Sequence, residues 1–181
     1  LGWGQDECAL SSRRDTAFLS DMSGTGASIK LRPAMVAGAL TAGAKVMELG
    51  GYTGDYLTYA IGTLNTDGGI YMTGGTAPEN YTGMRFIGHD AAPIPPDQIQ
   101  SLAQRADTEA APKRMEHESD EQCVVLNLVP KFHEFLANIL KEYGDIPPRG
   151  TGRFSVVVDG GDSFAANAFL NSITKLNLPD E

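Results

Sequence analysis

The stretch KVMELGGYTGDYLTYAIGTLNTDGGIYMT, Lys45 to Thr73, decides the fold. Lys45 to Leu49 is a short apolar run stopped by Gly50-Gly51, which reads as a buried strand. Leu57, Ala60, Ile61 and Leu64 then recur at three- and four-residue intervals, the stripe of an amphipathic helix that ends near Asn65. Thr66-Asp67-Gly68-Gly69 is turn chemistry, and Ile70 to Thr73 is a second strand. Strand, helix and strand in so short a span make a βαβ unit, whose crossover lays the helix on the sheet.

Reading outward, Thr16 to Ser20 is a further buried strand leading into the polar, Gly-rich run Asp21 to Ser28. A helix is expected from about Pro33 to Ala44, with Pro at its start, Met35, Val36, Ala39 and Leu40 on one face and Gly43 near its end. Beyond Thr73 a Gly-rich loop leads to a strand from Met84 to Ile87. Pro95-Pro96-Asp97 opens the next helix, with Asp97 a candidate N-cap and Ile99, Leu102, Ala103 and Ala106 as its inner face. The order βαβαβ predicts a three-layer α/β/α fold with a mostly parallel sheet covered on both faces.

Between Asp107 and Gln122 the chain is almost wholly polar and shows neither helical nor strand period, as an exposed linker does. The expected organisation is therefore a first domain over residues 1–107, a linker over 108–123, and a partial second α/β unit over 124–181. In that last piece Leu128, Phe132, Phe135, Leu136 and Ile139 mark a helix, Phe154 to Val158 a buried strand, and Phe169, Ile173 and Leu176 a final helix. One strand and two helices leave apolar surface to cover, so a protein partner docked through residues 124–178 is expected.

Composition narrows the chemistry. A net charge of −9 over 181 residues argues against nucleic acid and anionic membrane surfaces. No apolar stretch approaches the roughly 20 residues of a membrane span. Cys8 and Cys123 are far apart, and His89, His117 and His133 are scattered, so no metal-ligand spacing is present. Gly24-Thr25-Gly26 lacks the further residues of a dinucleotide or phosphate-loop fingerprint and reads as a turn.

An ordered chain of landmarks carries a family resemblance: Leu49-Gly50-Gly51-Tyr52-Thr53, Tyr59-Ala60, Asp67-Gly68-Gly69-Ile70-Tyr71-Met72-Thr73 and Pro78-Glu79-Asn80-Tyr81-Thr82-Gly83-Met84-Arg85-Phe86. These resemble domain 1 of the α-D-phosphohexomutases, the phosphoglucomutase/phosphomannomutase family. Its matching run ends a strand with D-G-G-I-M-I-T, enters the phosphoserine loop T-A-S-H-N-P and continues through Y-N-G-x-K-F. At the flanks, Leu1-Gly2-Trp3-Gly4-Gln5-Asp6 is similar to the L-x-N-G-x-D-I-R-G opening of plastid members, which implies a plastid. Phe154 to Gly161 is similar to the V-V-D-A-G-N-G start of domain 2.

The resemblance implies phosphoryl transfer through a phosphoserine with Mg²⁺, in carbohydrate metabolism, and the residues at the matching positions depart from that chemistry. The loop reads Thr73-Gly74-Gly75-Thr76-Ala77-Pro78, so Gly75 takes the serine position while Thr76 and Ala77 replace His and Asn. Of the G-R-D-x-R loop only Asp21 survives, beside Leu19, Ser20 and Ser23. Cys8 stands where D-I-R-G has Arg, and Y-N-G-x-K keeps its cation as Arg85, either a ligand contact or a solvated strand-end residue.

None of the 181 residues reads as the metal loop D-G-D-G-D-R, so no Mg²⁺ or other cofactor is expected, and Asp162 or Ser163 of Asp159-Gly160-Gly161-Asp162 is expected to cap a helix. The expectation is a phosphohexomutase-like pseudoenzyme with no catalytic residues, acting as a binding or structural subunit. Its ligand candidates are Asp21, Thr73, Gly74, Gly75, Thr76 and Arg85. The alternatives are a part of an active phosphohexomutase, with Thr76 or another hydroxyl taking the phosphate, and a sugar-phosphate-binding module.

Overall fold

The computed structural model describes residues 16–21, 26–42, 44–73, 81–108, 123–143, 157–160 and 164–175. It divides the chain into two compact units, one ending at Leu126 and the other beginning at Asn127.

The first unit runs β1 (Thr16–Asp21), α1 (Gly26–Thr41), β2 (Lys45–Gly50), α2 (Gly54–Leu64), β3 (Gly68–Thr73), β4 (Gly83–Gly88), α3 (Pro96–Thr108) and β5 (Cys123–Val125). The strands form one sheet in the order β4-β3-β1-β2-β5. β1 pairs in parallel with β2 and with β3, and β2 with β5, while β4 runs antiparallel along β3. The mostly parallel sheet expected from the alternating pattern is therefore present, with one antiparallel edge.

The order explains the layers. The chain steps one way from β1 to β2 and the other way from β2 to β3, so right-handed crossovers put α1 and α2 on opposite faces. Packing agrees, because side chains alternate along a strand. Ile70 packs with Val36 and Leu40 of α1 and Val46 of β2, whereas a Cβ at the adjacent Gly69 would lie 2.8 Å from Leu57 Cδ1 of α2. The result is an α/β/α sandwich.

Within that sandwich α2 buries one face completely, with Tyr56, Leu57, Ala60 and Ile61 all 0% exposed. Asn65 ends it in the left-handed region at φ 51°, donating its N–H to the Ile61 carbonyl, a role Asn tolerates better than most residues. Both glycines of the following turn are required. Gly68 has φ 155° and a Cβ there would meet the Ile87 carbonyl at 2.6 Å, while Gly69 admits α2.

Four expectations need correction. The first helix begins at Gly26, so Pro33 lies inside it rather than at its start. The turn before Pro33 carries Ser28, Lys30 and Arg32 and shows no apolar stripe, which hid it from a reading based on periodicity. Extending α1 backwards puts Arg32 on the helix, where its guanidinium forms an ion pair with Glu48 of β2, with Nε 3.3 Å from Oε1.

α3 begins at Pro96, so Asp97 lies in its first turn rather than at the N-cap, and its supposed inner face is not buried. Ile99 is half-buried, and Leu102, Ala103 and Ala106 are exposed. The amphipathic spacing recorded a helix without recording any surface to cover it.

No strand was expected at Cys123–Val125, where the reading set the boundary between the linker and the second unit. Instead Cys123, Val124 and Val125 pair with Val46, Met47 and Glu48, and Leu126 donates its N–H to the Glu48 carbonyl at 2.8 Å. The division falls after Leu126 rather than before Val124. Residues 109–122 of the expected linker lie outside the described residues.

In the second unit α4 (Val129–Tyr143) and α5 (Phe164–Lys175) pack together. Phe132, His133 and Ala137 are buried on α4, and Ala168 and Ser172 on α5, where the Ser172 hydroxyl donates to the Ala168 carbonyl at 2.7 Å. The Asn127 side chain accepts the Val129 N–H at 3.1 Å and caps the start of α4. Of the expected strand, Phe154 to Val156 lie outside the described residues, while Val157, 92% exposed, and Val158, 41% exposed, belong to no strand. An apolar run becomes a strand only beside another strand, and the described residues of this unit contain none.

Candidate functional site

β1 and β3 are neighbours, but the chain leaves β1 toward β2 and leaves β3 toward β4, away from each other. That is the topological switch point of an open α/β sheet, and the crevice between diverging connections at the carboxyl ends of such strands is where ligands bind. Asp21 is the last residue of β1 and pairs with Met72; Thr73, the next residue, ends β3. The fold therefore brings two of the candidate residues, Asp21 and Thr73, to one end of adjacent strands. β1 and β2 slip in register just below this point, so that Ser20 faces Gly50.

β4 adds the third. Thr73 lies opposite Gly83, and Tyr71 lies opposite Arg85, which makes Arg85 a diagonal neighbour of Thr73 on the same face, within reach of a long side chain. The Thr73 hydroxyl rests against Gly83, where a Cβ would come within 2.6 Å of Oγ1. Arg85 is exposed and Thr73 half-buried. Gly74, Gly75 and Thr76 lie outside the described residues, so the structure places the two ends of that loop, Thr73 and Tyr81, and not the loop itself.

Sequence reasoning missed Tyr71. Its ring is buried against Gly54 at the start of α2, with Cζ 3.4 Å from where a Gly54 Cβ would stand. Burial pushes the phenol pKa up; the Arg85 cation and a hydrogen bond from the Gly54 backbone pull the other way, and Asp55 adds to the rise. Because the hydrogen bond favours the phenolate, Gly54 must be the donor through its N–H. Thr53 at the N-cap makes no side-chain capping bond, and the Tyr71 hydroxyl lies beside that first turn, 3.6 Å from where a Gly54 Cβ would stand. The chain carries one hint, since Tyr71 stands two residues before Thr73, hence on the same face, at a position where the family motif has Met.

The site thus assembles a hydroxyl from β3, a cation from β4 and a carboxyl-bearing residue from β1 around the end of the central strands. An exposed Arg is suited to an anion, and a Thr hydroxyl can donate to one. Among the described residues no group of three or more His, Cys, Asp or Glu is placed to hold a metal ion. Gly160 of the Asp159-Gly160-Gly161-Asp162 run packs against Ala166 of α5, and Asp162 and Ser163 lie outside the described residues. No described helix is long and apolar enough to cross a membrane.

Comparison with known proteins gives this geometry a context. The family described as phosphoglucomutase/phosphomannomutase, alpha/beta/alpha domain I, matches residues 26–113. A phosphoglucosamine mutase of Lactobacillus gasseri is 26% identical over 143 residues, covering 79% of this chain and 30% of that protein. A phosphomannomutase of Escherichia coli is 35% identical over 88 residues, 46% of this chain and 19% of that protein. A crystal structure from Thermus thermophilus carrying the phosphomannomutase designation superposes with a TM-score of 0.58 at 19% identity, covering 69% of this chain and 27% of that one. The chain thus spans under a third of the length of these relatives. The antiparallel-edged sheet, the Asp67-Gly68-Gly69 turn and the matches over residues 26–113 make this chain similar to domain I of the phosphoglucomutase/phosphomannomutase family.

Proposed function

We propose that the chain is a phosphohexomutase-type domain that no longer turns over hexose phosphates and works as a binding or structural subunit of a larger assembly. The observation that carries this reading is Gly75. It occupies the position of the phosphorylated serine and has no oxygen to phosphorylate. The lost cations support it, since phosphoryl transfer depends on neutralising the moving group. Exposed Ile139, Leu140, Phe169 and Leu170 on the α4–α5 pair support docking through the second unit. A plastid location rests on the opening residues alone.

Incubation with a hexose 1,6-bisphosphate, followed by intact-mass measurement, gives no phosphoryl adduct on this reading. A stoichiometric adduct that disappears in Thr76→Ala or Thr73→Ala overturns it and favours a working part of a mutase.

A second reading has its own observation: the gathering of Thr73 and Arg85 on one face beside the switch point, with Asp21 at the end of β1. On it the domain holds a sugar phosphate without reacting. Titration calorimetry with glucose 1-phosphate then shows binding that Arg85→Ala abolishes and that leaves the sugar phosphate unconverted.

A further inference from the structure

We draw no further inference here: the strongest candidate, the outer edge of β5 with its exposed Val124 and Val125, is an apolar surface for which nothing in the structure shows what covers it.

Discussion

α2 and α3 begin from similar instructions and end in opposite environments. Each carries apolar residues at helical spacing, yet α2 buries four side chains completely while α3 buries none. The difference lies in what each helix connects. α2 joins two parallel strands of one sheet, β2 and β3, so the chain has to cross a face of that sheet and the right-handed crossover presses the helix onto it. α3 leaves β4, the antiparallel edge, and the next described strand, β5, lies at the far edge, so α3 does not join neighbouring strands. An apolar stripe states a need for cover, and the connection decides whether the cover is supplied.

Truncation inside α2 is the harshest test of this contrast. Leu57→Ala removes a fully buried side chain lying between α2 and Gly69, and should lower unfolding stability by about 2–5 kcal/mol, read from the denaturant midpoint. A loss near zero would mean that α2 is not the keystone of the sandwich.

Next comes the join between β3 and β4. Gly83→Ala forces a methyl group onto the Thr73 hydroxyl and should cost about 1–3 kcal/mol. Thr73→Ala in the same chain should recover a large part of that loss, because it removes the oxygen in the way. Equal losses in the single and double variants would show that the contact is elsewhere.

Tyr71→Phe sharpens the comparison at the first turn of α2, where it deletes the acceptor of the Gly54 N–H. The expected cost is about 1 kcal/mol. The pH dependence has a definite sign. Burial raises the Tyr71 and Tyr52 pKa values above the ordinary 10.0, so in alkali the unfolded chain loses these protons before the folded one does. Stability should therefore hold below pH 10 and fall as pH rises through the folded pKa values, with a shallower fall in Tyr71→Phe. An unchanged slope would separate Tyr71 from that transition.

The ion pair between Arg32 and Glu48 links α1 to β2 across a partly exposed surface, with 39% of the Arg32 side chain in solvent. Glu48→Ala should cost no more than about 1 kcal/mol, less at high salt. Leu102→Ala on α3 should change stability least, by about 0.5 kcal/mol or less. If it matches Leu57→Ala, α3 is packed in solution and the contrast fails.

Much of the site was legible in the chain. Asp21, Thr73 and Arg85 were singled out by resemblance, and the fold sets all three at one end of the sheet. Tyr71 was not, since a tyrosine in an apolar strand looks like core until the antiparallel register of β4 sets Arg85 opposite it. α1 was half read, because Pro33 resembles a helix start and the polar turn before it gives no period. The run Phe154 to Val158 was read as a strand from its continuous apolar residues and from its similarity to the start of domain 2.

Local chemistry was enough for whatever a short window decides: the three- and four-residue spacing that makes α2, the Asn65 end, the Gly68-Gly69 turn and the absence of a side-chain oxygen at Gly75. Those features act through backbone sterics and side-chain identity within a few residues, so no partner is needed to read them. Tertiary structure alone decided that Cys123–Val125 joins β2 and that Tyr71 reaches Gly54. It decided as well that Leu57 is sealed while Leu102 stays in solvent. Each of these depends on which distant segment lies alongside, and burial is a property of that meeting rather than of the residue.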